Sequence, residues 1–187
     1  MNIFSRIFVA VSVVLVFFSQ VYAEGDELRQ VTILDVPAPS AQQVDQALFP
    51  PNIADHQKEC AQMEKAGLRC QSVVPKSSMD SVAVTFSRGS ATLSSDAKAF
   101  LKAVGESLQR HAGEFKSITI EGHADVTGNE NSNRVLSKER AESVKDFLVA
   151  NFGISNIETT GRGSDKLRDP AHPAAEINRR IEFVLDW

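Results

Sequence analysis

The sequence predicts a two-layer α/β sandwich, β-α-β-α-β-β, with its helices on one face of a mixed sheet. Three observations point there. Short strand-like runs alternate with amphipathic helical stretches, as in α/β domains. Each strand-like run alternates apolar with polar residues, whereas a sheet covered on both faces would read as continuous apolar runs. One face is therefore expected to be largely wet, with the helices on the other. A pair of β-α-β steps closed by a final antiparallel strand fits the order of elements.

Met1 to Ala23 reads as a targeting segment. Arg6 supplies the positive region, Ile7 to Phe18 an apolar stretch, and Val21-Tyr22-Ala23 a small-x-small-like cleavage site. The apolar run is short for a membrane span, a retained signal anchor being the competing reading. The mature chain is expected in the periplasm. No ten-residue strands of alternating hydrophobicity announce a membrane barrel.

Glu24 to Pro51 begins acidic and then carries Pro37, Pro39, Pro50 and Pro51, the composition of an extended lead segment. Within it, Val31 to Leu34 has strand character. Ser40 to Leu48 has helix character, with Ser40 as cap and Val44, Ala47 and Leu48 on one face. Ile53 to Ala66 follows as a helix that Gly67 terminates. Cys60 and Cys70 are the only cysteines. An even pair at short spacing in an oxidising compartment predicts a disulfide. Closing a loop of about ten residues restricts the unfolded chain by roughly 2–3 kcal/mol. The spacing is not C-x-x-C and no histidine pair accompanies it, which speaks against a redox or metal role.

Val82 to Phe86 alternates as a strand, with Val82, Val84 and Phe86 inward. Ser94 or Ser95 caps a helix reaching Arg110, whose buried stripe is Ala97, Leu101, Val104 and Leu108. Ile118 and Ile120 then point one way along a strand, and Thr119, Glu121, His123 and Asp125 the other. Asp125 to Asn133, dense in Gly, Asn, Asp and Thr, reads as loop. Leu136, Ala141, Val144, Phe147 and Leu148 recur at helical spacing. Ile157 to Gly163 forms a further strand, and Arg180 to Leu185 the last, with Ile181, Phe183 and Leu185 facing in.

Arg140 breaks this pattern. At about 100° per residue it falls between Leu136 and Val144, inside the apolar stripe. A guanidinium there must snorkel to the rim or find a carboxylate. Asp125 ends the preceding strand, so an acid and a base face each other across a crevice where α/β folds tend to bind ligands. The residues alone leave two readings open: a ligand site, or a bridge that locks loop to helix.

Gly122-His123-Ala124-Asp125, Gly128, Asn133, Leu136-Ser137, Arg140-Ala141 and Asn178-Arg179-Arg180 resemble the OmpA-like family. This is the peptidoglycan-binding C-terminal domain of outer-membrane protein A and of the peptidoglycan-associated lipoprotein. The resemblance covers roughly residues 80 to 187, which divides the chain into a signal peptide (1–23), an N-terminal extension (24–79) and an OmpA-like domain (80–187). It implies the same two-layer fold, and binding to the diaminopimelate residue of the peptidoglycan stem peptide. That residue's free end carries an ammonium and a carboxylate. Asp125 would accept from the first, and Arg140 would hold the second with two parallel donors. A preference for a free amino-acid end over an amidated one follows. Asn133 either caps the helix or bonds the ligand, and Thr127 and Leu136 are placed as lining residues. Ser87 to Thr92 would form the opposing wall, although many relatives have aspartate where Ser87 stands. Unlike the lipoprotein, the chain has no cysteine after the apolar stretch for lipid attachment.

Arg179 and Arg180 are expected to pair with carboxylates across the sheet. A metal reading of Glu121, His123 and Asp125 would need three convergent ligands, and three on one strand face span too far. No metal or cofactor is expected, and a net charge of −4 argues against nucleic acid. The activity the resemblance implies is non-covalent anchorage to peptidoglycan. One rival is an adaptor whose residues 24–76 bind an envelope protein. The other is a cell-wall enzyme using Asp125 and Glu121 as acid and base.

Overall fold

The computed structural model describes residues 19–24, 27–70, 76–86 and 89–187. The first 18 residues of the expected targeting segment, and Ser87, lie outside them. Strands β1 (Ser19–Glu24), β2 (Glu27–Ile33), β3 (Lys76–Ser81), β4 (Ser117–His123), β5 (Ile157–Gly163) and β6 (Ile181–Asp186) form one sheet in the order β1-β2-β3-β6-β4-β5. The sheet is mixed. β2 with β3 and β4 with β5 run parallel, while β6 lies antiparallel to both β3 and β4. Strands from both sides of residue 80 therefore share it. Val21 to Ala23, the expected cleavage region, lies within β1.

Helices α1 (Ala41–Leu48), α3 (Ser95–Arg110) and α4 (Glu130–Phe152) pack on one face. Both serine caps act as the sequence predicts. Ser40 closes a reciprocal capping box with Gln43, and the Ser94 side chain accepts from the Ala97 amide. The core joins Val44 and Leu48, then Leu101, Val104 and Leu108, to Ile118, Ile120, Ile181, Phe183 and Leu185. Two glycines let α4 lie directly on the sheet. A Cβ at Gly122 would collide with the Ser137 carbonyl, and one at Gly161 with that of Arg134. Helix α2 (Pro51–Lys65) stands apart, burying only Ile53 and Cys60. Gly67 turns the chain at φ +75, and Cys60 and Cys70 form the expected disulfide. Among the described residues, no helix is long and apolar enough to cross a membrane.

Three expectations are corrected. The strand predicted over Val82 to Phe86 is not one, since Phe86 makes only an isolated bridge to Leu93. The strand lies just before it, at β3, where the inward positions include Ser77 and Ser81. Ser77 is fully buried because its hydroxyl donates to the Leu48 carbonyl at 2.6 Å, closing the end of α1. Hydrogen bonding, not apolarity, satisfies that position, so no hydrophobic alternation marks the strand. Second, α4 begins at Glu130, inside the expected loop, because Asn129 caps it by accepting from the Ser132 amide at 3.1 Å.

The third correction concerns the other sheet face, which is polar but not wet. Asp80, Glu182 and Glu121 sit side by side across β3, β6 and β4, a row of like charges that would repel if unpaired. Arginines neutralise it. Arg29 reaches from β2 to Glu121 at 3.2 Å and Glu182 at 3.4 Å. Arg162 donates to Glu121 from β5, and Arg180 to Asp80 at 2.9 Å. The small Ser78 lies between and donates to Glu182. Glu121 is 1% exposed as a result.

Candidate functional site

The cleft opens at the carboxyl end of β4, where the sheet hands over to the loop before α4. Asp125, Thr127, Asn133, Leu136 and Arg140, the five residues singled out from sequence, all line one cavity of about 630 Å³. Phe86, Gly89 and Arg179 complete its walls.

Asp125 is 4% exposed and firmly oriented. One oxygen accepts from the Thr127 amide at 2.8 Å and from its hydroxyl, closing an Asx-type turn. Asn133 braces the same loop, donating to the carbonyls of Asp125 at 3.1 Å and Thr127 at 2.9 Å. It is a loop brace, and the helix cap expected of it is Asn129. Burial raises the Asp125 pKa, but bonds from Thr127 and Arg179 outweigh it and hold the carboxyl below its ordinary value.

Arg140 takes neither route expected of a guanidinium in an apolar stripe. It stays buried at 9% exposure, its Nε donates to the Ser90 carbonyl at 3.1 Å, and its guanidinium lies 5.1 Å over the Phe86 ring. No hydrogen bond holds its terminal nitrogens among the described residues, and the residue lines the cleft. Burial, together with the field of Arg179, lowers its pKa, and Asp125 partly offsets this. Asp125 and Arg140 do not bridge each other, so the loop-locking alternative is set aside.

Asp125's partner is a residue the sequence reading placed elsewhere. Arg179 Nη1 donates to Asp125 Oδ2 at 2.7 Å, and its other arm lies 3.3 Å from Glu176. Arg180 does pair across the sheet, as expected. The loop carrying Arg179 is held by the fully buried Asn178. Its amide nitrogen donates to the carbonyls of Asp169, His172 and Pro173, and its oxygen accepts from the Asp169 amide.

Residues 85–180, about half of the chain, match the profile of the OmpA family. The chain belongs to the OmpA family. Curated relatives include the peptidoglycan-binding protein ArfA of Mycobacterium tuberculosis, 36% identical over 107 residues, covering 52% of this chain and 32% of that protein. The peptidoglycan-associated lipoprotein of Brucella melitensis is 35% identical over 106 residues, covering 54% of this chain and 62% of that one. The chain thus spans about a third of the length of the first of these relatives. Among solved structures, the periplasmic domain of Helicobacter pylori MotB aligns with a TM-score of 0.53 at 17% identity, over 62% of this chain and 86% of that one. A putative MotB-like protein from Desulfovibrio vulgaris gives 0.51 at 21%, over 78% and 94%. At these identities the structures speak for the fold alone. They share the two-layer OmpA-like architecture.

The enzyme alternative loses its geometry here. Glu121 lies on the closed sheet face with both oxygens bonded by Arg29 and Arg162. Burial would raise its pKa, yet those bonds lower it, so it is a poor proton donor and is not exposed to a substrate. The metal alternative changes its membership. Glu121, His123 and Glu182, not Asp125, bring potential ligand atoms within 4.8 Å of one another. The neighbouring guanidiniums of Arg29 and Arg162 already supply the positive charge there.

Proposed function

We propose that this chain binds peptidoglycan non-covalently, through the diaminopimelate residue of the stem peptide, and so anchors itself in the periplasm. The observation that carries the reading is Arg140. Arg140, a buried residue whose terminal nitrogens have no hydrogen-bond partner among the described residues, lines a cleft shared with Asp125. Those nitrogens are not among the buried side-chain atoms left without a partner, so water reaches them and a ligand can replace that water. A carboxylate fits its fork, and an ammonium beside that carboxylate fits Asp125. The names of two relatives, a peptidoglycan-binding protein and a peptidoglycan-associated lipoprotein, support the same substrate. Export by residues 1–23, with 24–79 as an extension to the binding domain, completes the proposal. No catalytic step is part of it, and purified sacculi incubated with the protein should release no soluble fragments.

Co-sedimentation with purified sacculi tests the reading. Wild type should pellet, while Asp125→Ala and Arg140→Ala, folded by circular dichroism, should stay in the supernatant. Equal pelleting of all three would reduce both residues to structural roles.

A second role rests on α2. The disulfide-pinned helix projects with Met63 39% and Leu68 58% exposed, a shape suited to gripping an envelope protein. Capture of one specific partner by the full chain, lost in Met63→Ser with Leu68→Ser, is the expected result.

A further inference from the structure

The cleft is asymmetric. Its anion-binding pole, the Arg140 fork, is open, whereas its cation-binding pole already holds a cation. Arg179 Nη1 sits 2.7 Å from Asp125 Oδ2, where the ammonium of a ligand would have to go. Asp125's other oxygen is committed to Thr127, so Oδ2 is the contested atom. Arg179 also has somewhere else to rest. Its Nη2 lies 3.3 Å from Glu176, whose side chain is 82% exposed at the rim, and Arg179 itself is 41% exposed. Breaking a part-exposed ion pair in favour of a second carboxylate already within reach costs little.

We propose that Arg179 is a specificity-determining residue: a tethered stand-in for the ligand's ammonium, which the ligand displaces from Asp125 onto Glu176. This rests on the peptidoglycan-binding reading of the cleft. Selectivity follows from the tether. A free amine must compete with a guanidinium that the chain holds at high effective concentration, so an amine alone gains almost nothing. A carboxylate alone reaches Arg140 but leaves the Asp125–Arg179 pair untouched. Only a ligand presenting both groups on one carbon is bound at Arg140 while its ammonium replaces Arg179. Arg179 thus rejects stem peptides with lysine in the diaminopimelate position, which keep the ammonium and lack the carboxylate beside it.

The test is calorimetric titration of the full chain with two tripeptides, L-Ala-γ-D-Glu-meso-diaminopimelate and its L-lysine analogue. Wild type should bind the first and discriminate strongly against the second. Arg179→Gln should bind the first about three- to fivefold tighter, the scale of a part-exposed ion pair. It should gain at least as much on the lysine analogue, narrowing the ratio. Arg179→Lys keeps the competing charge and should resemble wild type, and Glu176→Gln should weaken binding by removing the resting place. Weaker or unchanged binding by Arg179→Gln overturns the proposal, and would make Arg179 a ligand contact or a bystander. Should Arg179→Gln fail to fold, unchanged binding by Glu176→Gln overturns it instead. The underlying reading fails separately, and takes the proposal with it, if wild type binds neither peptide or if Arg140→Ala binds as wild type does.

Discussion

The closed face of the sheet and the cleft at its end are built from the same groups, carboxylates and guanidiniums, and they behave differently. On the closed face, Glu121 accepts from two arginines, Glu182 from Arg29 and Ser78, and Asp80 from Arg180. In the cleft, Asp125 and the rim's Glu176 face two arginines, and Arg140 keeps its terminal donors open. Charge content does not separate a structural network from a binding site. The pairing of the charges does. On the closed face every carboxylate lies against a guanidinium, although Asp80 Oδ1 and both ring nitrogens of His123 make no hydrogen bond there; in the cleft at the end of β4, Arg140 has no carboxylate bonded to it among the described residues.

The strongest way to break this comparison is to open the closed side. Glu121→Ala leaves Arg29 and Arg162 without their shared carboxylate, and removing one partner of a buried pair costs about 3–5 kcal/mol. Urea denaturation should show that loss, while the remaining folded protein still sediments with sacculi. Loss of binding without loss of stability would mean that the two regions are one site.

Acid titration should resolve the closed face into opposing contributions. Burial tends to raise the Glu182 pKa, but His123, Ser78 and Arg29 hold it at about 2 instead of 4.5. Its stabilisation is therefore present above pH 4.5 and lost as the pH falls toward 2. Asp80 runs the other way. Burial, with Oδ1 unbonded, lifts it from 3.8 to about 6 despite Arg180. Its contribution is full below pH 3.8 and is lost as the pH rises through 6. Each is worth up to about 3 kcal/mol, so thermal unfolding should show its maximum between pH 3.8 and 4.5 and a descent from there to about pH 6. Asp80→Asn should flatten the descent on the alkaline side, and an unchanged descent would assign it to another group.

On the open side, Arg140→Ala should weaken binding by about 1.5–3 kcal/mol, the range for hydrogen bonds to charged groups. Stability should move by no more than about 1 kcal/mol, because no carboxylate is left behind unpaired. A larger stability loss would place Arg140 with the ion-paired network of the closed face. The smallest effect is expected far from both regions. Replacing Cys60 and Cys70 with serine should leave sacculus binding unchanged and only speed proteolysis between residues 51 and 70, because α2 buries just Ile53 and Cys60. Reduced binding would tie α2 to the cleft.

Much of the fold could be read from residues alone. Local rules sufficed where they were self-contained. The capping serines Ser40 and Ser94, the alternation of Ile118 and Ile120 with polar neighbours, and the misplaced Arg140 each announce themselves within a few positions. What escaped depended on contacts between distant segments. β3 was missed because its inward serine is satisfied by the end of α1, 29 residues away. The wet face was mistaken because Arg29 covers acids 92 and 153 residues further on. Arg179, expected across the sheet, turns to Asp125 instead because its aim depends on an irregular loop folded around Asn178, and no periodicity describes such a loop.

Arg29 also bears on how the protein can be cut. It lies well before residues 85–180, the span matched by the family profile, yet it neutralises Glu121 within that span. β3 and β6 fall outside the span as well. A fragment trimmed to the profile would lose two of the three acids of the row, Asp80 and Glu182, along with Arg29, and expose the edge of β4. For expression, crystallography or fusion, the useful unit begins upstream of Arg29 and runs to the end of β6. The region a family holds in common is here smaller than the region that folds.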